Sequence, residues 1–405
     1  MKHVLLVHQA FVSPNQAGGT RHYEFARLIV PDGQHKFTII ASTLSYLTGK
    51  AGAPEDDANL DEGIQVLRSY TLPVTNRSFV WRVIAFFSFM FSAVWTSFRV
   101  KEVDLVMGTT PPIFQAVSAW VIAALRRKPF LLEVRDLWPE FAIDMGVLNN
   151  PVLIKLSRWL ESFLYSRANH ILVNSPAYRD YMLNRGIAPE KVSLIPNGVD
   201  PTMFDGPDVR DAVRQELGMG GRFVVSYAGA MGAANDLQVV LKAADRLRDQ
   251  ADIHFLMIGD GKERKNLEAI AQTLKLSSVT FLGSQPKTRM PDFLAASDAC
   301  LATLMDIPMF RTTYPNKVFD YMAARRPTIL GIDGVIREVV EAANAGIFVQ
   351  PGDDAALADA VLKLHADPDA ARQMGDSGRA YVEAHFSRQD HAEAFKQLID
   401  AVAGK

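Results

Sequence analysis

Short, mostly apolar runs recur along this chain, and a helical pattern follows most of them. In the first half they fall at 4–7, 37–40, 105–107, 130–134 and 171–173. In the second they fall at 223–227, 254–258, 279–282, 299–302, 328–330 and 347–349. A strand with one wet face alternates apolar and polar residues. A strand apolar at every position must be covered on both faces, which with intervening helices means a parallel sheet between helical layers. At 405 residues the chain is long enough for two such sheets. No 20–50-residue repeat is evident, so a solenoid is not indicated. A break lies near Ile195, Pro196, Asn197, Gly198 and Pro201, followed by a polar, glycine-spotted stretch at 205–221. The expected fold is therefore α/β, with two doubly wound Rossmann-like domains facing a cleft. Ligands of such sheets bind at the carboxyl ends of the strands.

Composition narrows the partners. Hydrophobic residues make up 48% and charged residues 22%, which excludes a disordered or coiled-coil chain. Lys plus Arg number 43 against 45 Asp plus Glu, a balance that argues against nucleic acid as partner. The single cysteine, Cys300, leaves no disulfide framework or cysteine-based zinc site and fits a reducing compartment. The apolar run at 4–7 is too short for a signal peptide and reads as a first strand. The near-zero total hides an asymmetry. Residues 64–191 carry 15 basic and 9 acidic side chains, while five acids cluster at 55–62 in a loop-like stretch.

Within the basic region, 83–98 (VIAFFSFMFSAVWTSF) holds no charge over 16 positions. As a helix it spans about 24 Å, short of the ~30 Å hydrocarbon core, so a simple membrane span is excluded. Ser88, Ser92 and Thr96 share one helical line with Ala85. Aromatic residues fill the rest, among them Phe86, Phe87, Phe91, Trp95 and Phe98, with Trp81 just before. A buried core helix is the plain reading. However, Arg77, Arg82, Arg99 and Lys101 flank the run. Apolar segments at 117–125 and 153–165 likewise carry Arg126, Arg127, Lys128, Lys155 and Arg158. Aromatic wedges ringed by cations are what a helix lying in an anionic membrane surface needs. Peripheral, monotopic attachment is the expectation.

Three glycine-bearing loops follow strands. Gly18 and Gly19 precede a helix. Gly229 and Gly232 follow the run 223–227. Gly259, Gly261 and Lys262 open a basic helix containing Arg264. Glycines let a backbone approach an anion, and a helix start supplies free N–H groups. None matches the dinucleotide or Walker spacing, so each alone is an ordinary turn, but together they favour a phosphate-bearing ligand. The densest polar cluster is FRTTYPNKVFDYM. There Pro315 suits a first helical turn, Asn316 and Lys317 point out of a helix start, and Asp320 lies one turn on. No HExxH or Gly-x-Ser-x-Gly motif is present, so neither metal nor serine hydrolase chemistry is indicated.

The ordered set GGTRHYEFAR, FLLEVRDLWPE, LIPNGVD, IGDGKERKNLEAIA, VTFLGSQP and YPNKVFDYMAARRPTI resembles glycosyltransferase family 4, of GT-B fold, over nearly the whole chain. That resemblance implies domains at 1–200 (acceptor and membrane) and 201–380 (nucleotide sugar), with 381–405 crossing back to the first. It implies a retaining, metal-independent transfer from a nucleotide diphosphate sugar, UDP-linked, with no cofactor. VRDLWPE and PNKVFDYMAA are similar to the bacterial subgroup that builds O-antigen, capsule and exopolysaccharide and includes N-acetyl-L-fucosamine-type transferases. The donor sugar is then an N-acetylhexosamine, and the acceptor a polyprenyl-diphosphate-linked saccharide at the cytoplasmic face of the inner membrane. The family's paired acids fall on Thr312 and Asp320, the first a departure, with Thr313 beside it. Its diphosphate-neutralising Arg and Lys fall on Ala230 and Asn235, which leaves Lys317, with Arg311 or Arg264, to supply charge. The base is expected near Leu282 and Gly283. Arg135 stands where many relatives carry histidine, with Asp136 and Glu140 as neighbouring acceptor contacts. A nucleotide-sugar 2-epimerase of the same architecture and a non-catalytic membrane scaffold are the alternatives.

Overall fold

The computed structural model describes residues 1–12, 19–44, 60–73 and 79–404. The chain divides into two compact units, Met1–Pro196 with Gln389–Lys405, and Asn197–Arg388. The boundary thus falls at 196/197, and residues 381–388 stay with the second unit.

The first unit is built on a seven-stranded sheet of order β3-β2-β1-β4-β5-β6-β7, every pairing parallel. Its strands are β1 (Lys2–Val7), β2 (His35–Ser42), β3 (Ile64–Ser69), β4 (Leu105–Thr110), β5 (Phe130–Val134), β6 (His170–Val173) and β7 (Val192–Leu194). Helices α1 (Arg21–Ile29), α2 (Phe79–Ser97), α3 (Ile113–Arg126), α4 (Glu140–Asp144) and α5 (Pro151–Arg167) cover it, together with Pro176–Asn184 and the final helix Arg388–Ala403. Every residue of β4 and β5 is buried, as covered parallel strands require. On one face Phe25 of α1 meets Phe395 of the last helix, ring centroids 5.4 Å apart, over Val4, Leu6 and Leu131.

Helix α2 sorts its residues by face. Ala85, Phe89, Ala93 and Thr96 are buried. The line Ser88, Ser92 and Thr96 joins α2 to the segment ending edge strand β3. Ser88 Oγ accepts from Leu72 N, Ser92 Oγ donates to the Tyr70 carbonyl, and Ser69 Oγ donates to Thr96 Oγ1. The opposite line, Ile84, Phe87, Phe91, Trp95 and Phe98, is exposed, Trp95 to 74% and Phe91 to 68%. Trp81 is exposed as well. Phe86 is half-buried and not part of this line; both it and Phe87 pack on Phe114 of α3, at 5.9 and 5.0 Å. A second exposed apolar line runs along α5 through Val152, Leu156 and Trp159. Among the described residues no helix is long and apolar enough to cross a membrane.

The second unit has a six-stranded parallel sheet of order β10-β9-β8-β11-β12-β13. Its strands are β8 (Phe223–Ala228), β9 (Ile253–Ile258), β10 (Val279–Gly283), β11 (Ala299–Thr303), β12 (Thr328–Gly331) and β13 (Gly346–Phe348). In both sheets the order reverses beside the first strand, at β1/β4 and at β8/β11. These are the switch points where a crevice opens at the strands' carboxyl ends.

Candidate functional site

At the carboxyl end of the second sheet, three loops meet through glycines. A Cβ on Gly259 (φ +137°) would lie 1.8 Å from the Gly229 carbonyl oxygen, and one on Gly261 would lie 2.3 Å from that of Met231. Only glycine permits this approach. The loops are then cross-linked, Gly229 N donating to Ile258 O and Met231 N to Asp260 O. Tyr321, on the helix Asn316–Ala323, fixes the end of β8, since its hydroxyl accepts from Ala228 N and donates to Ala228 O.

Lys317, on the same helix, reaches into this cluster. Its Nζ donates to Tyr227 Oη at 2.8 Å and Asn235 Oδ1 at 3.2 Å, and it stands 4.1 Å from the Tyr227 ring centroid. Tyr227 Oη in turn donates to the Ala230 carbonyl. A Cβ on Gly229 would come within 3.0 Å of Nζ. Burial, with no carboxylate offsetting it, pushes the Lys317 ammonium down to about 7. The cluster therefore holds a cation against a glycine-lined backbone, and its partners are neutral acceptors only. Arg264 and Arg311 differ in this respect. Arg264 pairs with Glu268 and Asp260 and lies against Gly283 (φ +73°), while Arg311 pairs with Asp306.

Asp320, one turn beyond Lys317, is pushed up to about 6 by burial, opposed by the charge of Lys287. Thr312 and Thr313 turn their hydroxyls onto their own backbone, to Met309 O and Phe310 O. Asn316 is exposed at the helix start, and Gly232 is half-buried before the turn at 233–235. Leu282 packs against the core beneath the loop, its carbonyl accepting from Gln285.

The first unit's polar centre lies at the ends of β1, β4 and β5. Glu133 is 1% exposed and takes hydrogen bonds from Arg21 Nε (3.0 Å), His22 Nε2 (2.6 Å) and Thr109 Oγ1 (2.8 Å). Burial works against its charge, but His22, Arg21 and Arg135 outweigh burial and hold the carboxyl well below its usual range. Arg21 also donates to the carbonyls of Ile195 and Pro196.

Period-two alternation at the end of β5 separates Arg135 from Asp136. Glu133 and Arg135 face His8 and His22, whereas Leu132, Val134 and Asp136 face α5. There Asp136 lines a cavity of about 10 Å³, the size of one water, with Thr110, Trp138, Glu161 and Tyr165. Burial pushes Asp136 up to about 6, opposed by Arg135. Glu140 is occupied elsewhere. Both its oxygens accept from Arg158 at 2.8 Å, with Arg185 at 3.6 Å, which ties α4 to α5. Arg135 and the two expected acceptor contacts, Asp136 and Glu140, are therefore not gathered at one point. Gly18 lies outside the described residues. Gly19 is exposed with open space around it, and Thr20 beyond it bonds Glu24 rather than capping α1. His8, Tyr227 and Lys287 lie outside the quoted motifs, and His22 and Glu133 lie inside GGTRHYEFAR and FLLEVRDLWPE without being singled out there. The alternation LEVRD does place Glu133 and Arg135 on one face.

Two doubly wound parallel sheets, one carrying a glycine-lined loop cluster around a cation, define the class of α/β proteins whose ligands bind at the strands' carboxyl ends. Residues 222–367 match the family described as glycosyl transferases group 1, and 19–198 match the glycosyl transferase 4-like domain. The chain belongs to this glycosyltransferase family. A putative colanic acid biosynthesis glycosyl transferase, WcaI of Escherichia coli (strain K12), is 27% identical over 226 residues. That match covers 54% of this chain and 54% of the relative, so it spans about half of that protein's length. Among solved structures, Anabaena HepE in complex with UDP and glucose aligns with TM-score 0.76 and 19% identity, covering 98% of this chain and 99% of that one. WaaG, a glycosyltransferase involved in lipopolysaccharide biosynthesis, aligns over 100% of both chains with TM-score 0.69 and 15% identity. The fold is GT-B.

Proposed function

We propose that this protein is a retaining, metal-independent glycosyltransferase of bacterial surface polysaccharide synthesis. It moves an N-acetylhexosamine from a UDP-linked donor to a polyprenyl-diphosphate-linked saccharide at the cytoplasmic face of the inner membrane. The observation that carries this reading is Lys317, an ammonium held over Tyr227 by neutral acceptors against the Gly229 and Gly259 loops. HepE, of the same fold, was solved with UDP and glucose, and the names of WcaI and WaaG point to colanic acid and lipopolysaccharide.

In this reading the nucleotide ribose contacts Asp320, and the base lies near Leu282 and Gly283. Cleavage of the sugar–phosphate bond builds negative charge on the leaving diphosphate. Lys317 and the fixed backbone N–H groups of residues 229–232 stabilise that charge in place of a metal. The departing phosphate takes the proton of the acceptor hydroxyl, so no dedicated base is needed. The exposed lines of α2 and α5, with Arg99, Lys101, Arg127, Lys128 and Lys155 around them, fit an anionic bilayer surface.

The test is to incubate the protein with membranes bearing polyprenyl-linked saccharide and a panel of nucleotide sugars. A new lipid-linked product that keeps the donor's anomeric configuration is expected. Product from a nucleotide sugar alone would make the protein an epimerase. No calorimetric binding of any nucleotide would make it a scaffold.

A further inference from the structure

We propose that Arg135 is an oxyanion-contact residue of the first unit, taking a diphosphate-class group, and that His8 is the positioning residue that aims it. Arg135 donates from Nε to the Thr110 carbonyl at 3.2 Å and from a terminal nitrogen to His8 Nε2 at 3.3 Å. A guanidinium only donates, so Nε2 of His8 must be the acceptor, and the proton of the neutral ring sits on Nδ1. Thr110 O and His8 Nε2 orient the guanidinium without neutralising it.

The nearest carboxylate is Glu133, 3.9 Å from Arg135, but it also pairs with Arg21 at 3.0 Å, so two guanidiniums share one negative charge and a positive excess remains. Asp136 belongs to the opposite face of β5. Among the described residues three N–H donors of Arg135 have no hydrogen-bond partner, with the side chain 21% exposed at the carboxyl ends of β1, β4 and β5. Lys317 in the second unit is held in the same way, by a tyrosine hydroxyl and an amide oxygen. In each unit neutral acceptors orient one cation: Lys317 by Tyr227 and Asn235, and Arg135 by Thr110 and His8, with Glu133 shared between Arg135 and Arg21.

His8 is itself held in place. Its ring meets His22 edge-on at 4.6 Å, and His22 is pinned by Glu133. His8 is 2% exposed. Burial, then the neighbouring His22 and Arg135, keeps its ring from protonating, and a protonated ring would lose the accepting lone pair and repel Arg135. Among the described residues the charged and titratable groups around the pair are Arg21, His22, Glu133 and, from the other face of β5, Asp136.

The assignment does not require the glycosyltransferase reading, and its test separates the two. Calorimetry on the full chain would use farnesyl diphosphate as a lipid diphosphate and UDP as a nucleotide diphosphate. Arg135→Met, at a part-exposed position that should leave folding intact, is expected to weaken at least one probe tenfold or more. The probe affected identifies the source of the anion. His8→Leu should reproduce that loss. His8→Gln, whose amide oxygen can stand in for Nε2, should restore affinity to within threefold of the unmodified protein. Arg135→Met binding both probes within twofold of the parent would overturn the proposal. So would His8→Gln proving as weak as His8→Leu, since His8 would then act through packing. Lys317→Met abolishing UDP binding while Arg135→Met changes nothing would sink this assignment and leave the function reading intact.

Discussion

An ammonium pushed down to about 7 by burial must regain its proton when a diphosphate arrives. The nucleotide sugar is a diphosphate diester with no ionisation of its own near neutrality, so any pH dependence of its affinity belongs to the protein. If the ligand binds only the protonated lysine, the competent fraction is about 0.9 at pH 6, about 0.5 at pH 7 and about 0.1 at pH 8. The dissociation constant for UDP-glucose should then rise roughly tenfold from pH 6 to pH 8, a change of about 1.4 kcal/mol. The sign is that of a cation whose free-state value is depressed, so affinity is full below that value and lost as pH rises through it. Calorimetry in buffers of different ionisation enthalpy should register uptake of about 0.9 proton per ligand at pH 8 and about 0.1 at pH 6. Asp320, at about 6 and opposed by Lys287, contributes the opposite slope at the acid end, so Asp320→Asn serves as the control. Lys317→Arg should flatten the profile. A flat profile in the unmodified protein, with no proton uptake, would refute the argument that burial without a carboxylate partner governs this lysine.

Other consequences follow from single contacts. Glu133→Gln leaves the buried Arg21 guanidinium without its counter-charge, which costs about 3–5 kcal/mol. By differential scanning calorimetry the first unit's Tm should fall by roughly 10 °C. An unchanged Tm would mean the pair is not a stabilising one. Gly259→Ala drives a methyl onto the Gly229 carbonyl at a positive φ, so UDP binding should be lost along with about 2 kcal/mol of stability. Binding that survives would show that the loops can separate cheaply. Phe91→Glu with Trp95→Glu, both exposed, should leave thermal stability within about 0.5 kcal/mol of the parent. Sedimentation with phosphatidylglycerol vesicles should be abolished, and retained sedimentation would remove α2 from the membrane reading.

Much of the architecture was legible because burial on both faces leaves a local mark. Strands such as β4 and β5, enclosed along their whole length, are largely apolar, with Thr109, Thr110 and Glu133 the polar exceptions, and that pattern is visible without coordinates. The uncharged run at 83–98 also announced an unusual helix, although only one of its faces is buried. Which side of that helix is wet was not legible, because aromatic residues lie on most of its circumference. The hydrogen bonds of Ser88, Ser92 and Thr96 to the end of β3 decide it, and they turn Phe86 inward and Phe91 and Trp95 outward.

The sites divide along the same line. Lys317, Asp320 and the glycine loops were readable as a phosphate-bearing ensemble, because glycine tolerance and helix-start chemistry are properties of a few consecutive residues. Arg135, Asp136 and Glu140 looked like one group because they are close in sequence. The pleat sends the first two to opposite faces, and Arg158 claims the third. His8, His22 and Glu133 come from β1, α1 and β5, and Tyr227 lies 90 residues from Lys317, so only the closing of each sheet brings them together. By itself the sequence determined the parallel sheets, the glycine loops and a stock of cations. The tertiary structure decided which cations outnumber their carboxylates, because neutralisation depends on how many carboxylates lie within a few ångströms, and those distances are not written along the chain.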